Sequence, residues 1–484
     1  MAPSADIAAL EKKFPDYLKR HMNAESATFY ELFLQPLAAV HAGSTDITHD
    51  YNNYHKFDGT YTRLFSIIAL IVLIIACINF MNLSTARSAG RAKEVGVRKS
   101  VGAQRFQLSM QFIGESVLLC LLSLIIALAL VQLALPWVAQ LSQRDISISV
   151  FTNINLLLSA LAGTLLVGIL AGLYPAAYLS SFQAIKVLKG TIQTGKNKGT
   201  LRNILVVGQF SSAIFLIIAT IFALRQLNFM QKKDPGFNKD QVVTILLNFN
   251  TSPKYDALKQ ELLNNTLISG VTASWQRLGN NLHQTGITYH PGDGPAREMA
   301  TSQVVVDPDY LTVYKIPLVA GRNFSRDYGT DNAKAYIINE TMARELSKEH
   351  PKAPISTLIG KRFGFGGMDS VGSIVGIAKD FNFNSLHHKI ETLTILNQKD
   401  WGFAEVSVRI NGASAKQAIG HIQNTWQKIN PGQELNYEFL DDHFKELYQA
   451  DSQVSEIVGI LAALAIVISC LGLFGLASYA AEKE

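Results

Sequence analysis

Five stretches of this chain are too long and too apolar to be ordinary core helices: residues 64–84, 110–136, 153–178, 204–225 and 454–478. A helix rises about 1.5 Å per residue, so about 20 apolar residues cross the hydrocarbon of a bilayer. Hydrocarbon offers the backbone no water, so each stretch is expected as a helix. Only 17% of the 484 residues are charged, against about 25% in soluble domains, and the deficit falls in these stretches. The expected fold class is an α-helical membrane protein with an α+β extracytoplasmic domain. A lipid bilayer is its first expected partner.

Between the first two stretches lies Arg87-Ser-Ala-Gly-Arg91-Ala-Lys93-Glu94-Val-Gly96-Val-Arg98-Lys99-Ser-Val-Gly102-Ala-Gln-Arg105. A charge at the bilayer centre costs about 2.5–3.5 kcal/mol on insertion scales, so this segment belongs at a membrane face. The positive-inside rule puts that face in the cytoplasm. Val95, Val97 and Val101 give it some apolar surface, while Gly96 and Gly102 limit any helix to short pieces and shape turns. We therefore expect a cytoplasmic coupling loop over 85–109, fit to dock a soluble partner. A second basic loop is expected over 180–203, with Lys186, Lys189, Lys196, Lys198 and Arg202 and no acid. The segments 1–63 and 226–453 then fall outside. The net charge of +5 is modest and basic residues gather beside the apolar stretches, a membrane-orientation pattern and not that of a nucleic-acid binder.

The segment 226–453 reads as α+β. β-rich runs at 241–247, 302–306, 335–338, 373–378 and 404–410 alternate with helical patterns. In the clearest of these, Ala415, Ile419, Ile422, Trp426 and Ile429 form one stripe that ends at Asn430-Pro431-Gly432. The chain also repeats itself. Cys77-Ile-Asn-Phe-Met-Asn-Leu-Ser and Cys470-Leu-Gly-Leu-Phe-Gly-Leu-Ala hold equivalent places in the first and fifth stretches. Before them, a helix over 8–22 and a strand over 30–37 mirror a helix over 415–430 and a strand over 435–440. Residues 1–63 are thus expected as the C-terminal part of a first external domain, and 226–453 as the second. With no signal peptide to export 1–63, we expect a fragment truncated at both ends.

The sequence holds no Walker A, HExxH or GxSxG pattern, so neither a catalytic residue nor a cofactor or metal is expected. His283, His290, His387 and His388 lack carboxylate or cysteine company, and surface or core roles suit them better than a shared metal. Glycines near 363–367 mark a hairpin or loop. Cys77, Cys120 and Cys470 lie inside apolar stretches and read as small buried hydrophobes. Three membrane features stand out: Glu115, for an ion pair with the basic loop or for interfacial snorkelling; Gly168-Ile-Leu-Ala-Gly172, for close helix approach; and Pro175, where the third stretch should stop.

Taken together, Asn79-Phe-Met-Asn82, the segment Arg91–Ala103 and Phe112-Ile-Gly-Glu115-Ser116 resemble MacB/FtsX-like (type VII) ABC transporter permeases. Gly172-Leu-Tyr174-Pro175 resembles the end of that family's fourth helix. Asp307-Pro-Asp-Tyr310, Gly321-Arg322-Asn-Phe324 and Val375-Gly376-Ile-Ala-Lys379-Asp380-Phe381 resemble its external core domain. The resemblance is nearest to the duplicated, eight-helix form, of which helices two to six would be present. It implies a non-catalytic permease subunit of the inner membrane with large periplasmic domains, served by a separate cytoplasmic ABC ATPase, itself a dimer. ATP hydrolysis would be passed outward by mechanotransmission to efflux or to lipoprotein or peptide handling, with a periplasmic adaptor or outer-membrane protein as a further partner. Arg91, Lys93, Glu94, Gly96, Arg98, Lys99 and Gly102 would couple to the ATPase. The reading from another class is a membrane-anchored receptor or adhesion protein without energy coupling, which leaves the basic loops and the repeat unexplained.

Overall fold

The computed structural model describes residues 6–22, 30–44, 47, 58–90, 92–142, 151–180, 198–292, 294–365 and 371–481. The chain forms two compact units, one of Met1–Thr60 with Lys233–Leu447 and one of Tyr61–Lys232 with Tyr448–Glu484. The helices up to the second external segment are α1 (Ile7–Glu11), α2 (Phe14–His21), α3 (Leu37–Val40), α4 (Gly59–Gly90), α5 (Ala92–Ser100), α6 (Arg105–Ser142), α7 (Ile154–Ser180) and α8 (Lys198–Lys232). Then follow β1 (Val242–Leu246), α9 (Tyr255–Leu263), β2 (Ile268–Ser274), β3 (His283–His290), β4 (Arg297–Val305), α10 (Tyr310–Tyr314), β5 (Leu318–Gly321), β6 (Ala335–Asn339), α11 (Glu340–Leu346), β7 (Arg362–Phe365), β8 (Gly372–Ala378), β9 (Leu393–Leu396) and β10 (Glu405–Ile410). The chain closes with α12 (Ala415–Ile429), β11 (Tyr437–Phe439), α13 (Leu440–Glu446) and α14 (Gln449–Ala481).

In the second unit, among the described residues, five helices are long and apolar enough to cross a membrane: α4, α6, α7, α8 and α14. Helices α6 and α7 run on through Pro136, the end of the expected stretch 110–136, and through Pro175, the expected stop of the third stretch. Each proline removes one N–H, but within hydrocarbon an ended helix would leave more backbone groups unserved than a helix that absorbs the defect.

In the first unit, the described strands form two sheets. The smaller, in the order β11-β1-β10-β2, is antiparallel throughout. Its inner face is covered by α9 and α12, which contribute Leu258, Leu262, Ala418, Ile422 and Trp426 to one buried core. The stripe read from 415–429 is that contact. The larger sheet runs β5-β8-β6-β9-β4-β3-β7, and a β7–β8 pairing closes it on itself. All five expected β-rich runs fall on strands: β1, β4, β6, β8 and β10.

Two expectations for residues 1–63 fail. The helix expected over 8–22 is two helices, α1 and α2, because Pro15 lies at the start of α2 and its ring would strike the carbonyl of Glu11 in a continuous helix. The strand expected over 30–37 is not one. Leu34 N–H donates to Glu11 Oε1 at 2.8 Å, and Leu37 opens α3. A strand is made by its ladder, and among the described residues this stretch has none, whereas its counterpart β11 pairs with β1.

Candidate coupling site

The basic segment is helical, not the loop expected over 85–109. Helix α4 continues to Gly90, α5 covers Ala92–Ser100, and residues 101–104 form the turn before α6. Ala, Arg, Lys and Glu are strong helix formers. Gly96 shapes no turn; it is buried inside α5. Gly102 does shape one. Its φ of +102° is in the left-handed region that glycine adopts without penalty. Gly102 N–H donates to the Lys99 carbonyl at 3.1 Å and Ala103 N–H to the Arg98 carbonyl at 3.0 Å. That pair of bonds is a Schellman cap on α5. Helix α6 then starts with Gln104 N–H donating to Gln107 Oε1 at 3.0 Å, one half of a capping box.

These caps seat α5 with one face down. Val95 is buried with Leu108 and Phe112 of α6 and Ala176 of α7. Glu94, Val97 and Arg98 are exposed, with Val101 just beyond the helix end, 82% exposed. Arg98 Nη2 pairs with Glu94 Oε1 at 2.7 Å, the favoured order for an i,i+4 pair. Arg98 Nη1 also donates to Gln111 Oε1 at 2.6 Å, and Gln111 Nε2 donates to Glu115 Oε1 at 3.2 Å. Glu115 is thereby joined to the basic element through an amide. Lys99 is half-buried, and burial, followed by the Arg105 charge, lowers its pKa. Arg91 lies outside the described residues, as does 181–197 of the second expected basic loop; Lys93 lies in α5.

The helices beneath α5 pack closely. A Cβ on Gly172 would lie 2.9 Å from Ser116 Cβ, and one on Gly168 would lie 3.0 Å from Val117 Cα. The backbones of α6 and α7 therefore touch where those glycines stand. Pro175 and Ala176, one turn on, are buried. The Gln111 link crosses a helix–turn–helix, so no sequence period could reveal it.

The external motifs prove to be hubs of charge. Asp307 and Asp309 both receive Lys259, at 2.9 and 2.5 Å, and Arg326, at 3.1 and 2.7 Å. Arg322 grips Asp331 with two bonds of 2.6 and 2.8 Å. Asp380 Oδ1 accepts the Thr341 N–H at the start of α11 at 2.9 Å. His283 and His290 stand at opposite ends of β3, roughly 23 Å apart at strand rise, so the two share no ion.

Among the described residues, one group with the spacing of metal ligands has no signal in the sequence. Glu438, His443 and Glu446 present ligand atoms within 4.8 Å of one another. A cation already serves that spot: Arg277 bonds Glu438 at 2.6 Å and the buried Glu405 through Nε. Burial and the Arg277 charge push the His443 imidazole down to about 4. Burial pushes the Glu405 carboxyl up to about 7 while Arg277 pulls against it.

Residues 66–184 match the family model of the FtsX-like permease C-terminal domain, and residues 204–425 that of the MacB-like periplasmic core domain. The macrolide export ATP-binding/permease protein MacB of Shewanella sp. (strain W3-18-1) is 32% identical over 136 residues, 28% of this chain and 21% of that protein. MacB of Vibrio parahaemolyticus is 30% identical over 170 residues, 34% of this chain and 26% of that protein. The chain thus spans about a fifth to a quarter of the length of the curated relatives it matches. The crystal structure of the periplasmic region of MacB from Actinobacillus actinomycetemcomitans aligns over 45% of this chain and 97% of that one, with 11% identity and a TM-score of 0.32. Five membrane-length helices, the capped basic helix inside the first matched region and the two-sheet domain inside the second agree with the paired matches: the chain is a member of the MacB/FtsX-like ABC permeases.

Proposed function

We propose that this chain is a non-catalytic permease subunit that receives the stroke of a separate cytoplasmic ABC ATPase, a dimer, and passes it through the bilayer to an extracytoplasmic domain. The observation that carries this reading is α5: a short helix with Glu94, Arg98 and Val97 outward and Val95 locked onto α6 and α7. A load on Arg98 reaches α6 through Gln111 without crossing a flexible linker. In this reading Arg91, Lys93, Glu94, Arg98 and Lys99 meet the ATPase. Gly102 sets the angle of α5, buried Gly96 lets it sit close, and Glu115, Gly168, Gly172 and Pro175 hold the platform. The positive-inside rule puts α5 in the cytoplasm of an inner-membrane protein and 233–447 on the periplasmic side. The relatives' names, which say export, point to efflux as the outcome.

The test is affinity purification of the membrane protein from its native host. An ATPase with a Walker A sequence is expected with the unaltered protein and is expected to be lost with the double variant Arg98→Glu, Lys99→Glu. Equal recovery with both would remove α5 from the docking role.

A further inference from the structure

The two helices that occupy equivalent places in the repeat touch each other, and they touch at equivalent positions. The offset that lays Cys77 on Cys470 also lays Asn79 on Gly472, Asn82 on Gly475 and Ile75 on Ile468. In the structure, Asn79 Nδ2 of α4 donates to the Ile468 carbonyl of α14 at 3.2 Å. A Cβ on Gly472 would lie 2.1 Å from Asn79 Oδ1, and one on Gly475 would lie 2.4 Å from Leu83 Cδ2. Above this crossing Ile68 and Ile75 share one buried cluster with Val458, Ala462 and Ala465.

The fit is complementary and not self-complementary. One copy of the repeat carries the amide and the other carries the absence of a side chain. A symmetric pair of α4 helices would bring Asn79 against a second Asn79, and the space present holds one such side chain. The amide is also poor value as glue alone. Asn79 Oδ1 is buried with no hydrogen-bond partner, as is Ser469 Oγ next to the acceptor residue. Both would be costly in hydrocarbon if apolar packing were the whole purpose. A polar residue that is imperfectly satisfied but sits opposite a glycine selects a partner and a register.

We infer that α4 and α14 form an intramolecular, pseudo-symmetric interface centred on Asn79 and Gly472, so that a single chain supplies both halves of its membrane core and a second copy is not required. The interface excludes α4 of another copy by crowding and accepts α14 by the gap at Gly472.

Disulfide trapping tests this in the full-length protein in native membranes. Cys77, Cys120 and Cys470 are first replaced by serine, and Asn79→Cys with Gly472→Cys is then introduced. A parallel Ser116→Cys, Gly172→Cys pair reports that oxidation works within the α6–α7 contact. After mild oxidation, the expected result is a monomer-sized band whose digest contains the 79 and 472 peptides joined to each other. A dimer-sized band, joined 79-to-79 peptides, or no product where the control pair oxidises would overturn the inference. Joined peptides in a protein that recovers no ATPase would leave the crossing standing and would count only against the proposed function.

Discussion

The two units differ in the charge they bury. Beside neutral groups such as Thr272, Gln303 and Asn384, the external unit buries charges, and these are paired: Lys259 with Asp307 and Asp309, and Arg277 with Glu405 and Glu438. In the membrane unit, among the described residues, the buried polar side chains are neutral, such as Asn82, Ser116, Gln209 and Ser469. Ser116 and Asn79 donate to helix carbonyls, while Asn79 Oδ1 and Ser469 Oγ are unpartnered. The difference follows from the alternatives open to each group. A charge in the external unit can be desolvated because its counter-charge is desolvated with it. A charge between helices in hydrocarbon would be expensive, so contact there is made by glycine, shape and single amides. The external domain should therefore be brittle toward loss of one charge, and the membrane core brittle toward added bulk.

The largest effect should come from Glu405→Ala. It strips Arg277 of its buried partner and is expected to cost about 3–5 kcal/mol, read as a lowered urea midpoint for the external domain in detergent-solubilised protein. A change below about 1 kcal/mol would mean that Glu438 alone satisfies Arg277. Second, Gly172→Leu pushes a side chain into Ser116 and is expected to cost about 1–3 kcal/mol or more. It should appear as lost thermal stability of the membrane unit with the external unit's unfolding unchanged. Third, Asn79→Ala should cost less than about 1 kcal/mol, the usual worth of a hydrogen bond between membrane helices. A several-fold larger loss would show that the amide is structural glue.

The pH response separates the two members of the Arg277 cluster. The His443 pKa falls from its ordinary 6.5 to about 4, so the unfolded chain takes that proton first and stability drains away as pH drops from 6.5 to 4. The Glu405 pKa rises from 4.5 to about 7, so the folded chain holds that proton longer and stability drains away as pH climbs from 4.5 to 7. The two slopes oppose each other. In His443→Gln the external unit's melting temperature should fall steadily from pH 4.5 to 7; in Glu405→Gln it should rise from pH 4 to 6.5. Parallel profiles in the two variants would break the assignment.

Much of the framework was legible because it rests on length and period. The apolar stretches, the strands at 241–247 and 404–410 and the stripe from Ala415 to Ile429 are set by one-dimensional patterns. The failures share a cause. By its local penalty Pro175 should end a helix, whereas the surrounding hydrocarbon decides whether a helix can end there. Residues 30–37 look like β11 in composition but lack β11's neighbour. Gly96 and Gly102 are the same residue type in one segment, yet one is buried in a helix and the other caps it; only the bonds from Gly102 and Ala103 distinguish them. The Arg98–Gln111–Glu115 relay and the Arg277 cluster join residues far apart in sequence, where periodicity carries no signal.

In the proposed function the outward face of α5 meets a cytoplasmic ATPase. A photo-crosslinking residue at Val101, 82% exposed beside that face, tests it most directly in living cells. The expected result is an adduct with a Walker A–bearing ATPase that disappears when Arg98 and Lys99 are both changed to glutamate. An adduct with a periplasmic protein instead would contradict both the orientation and the coupling.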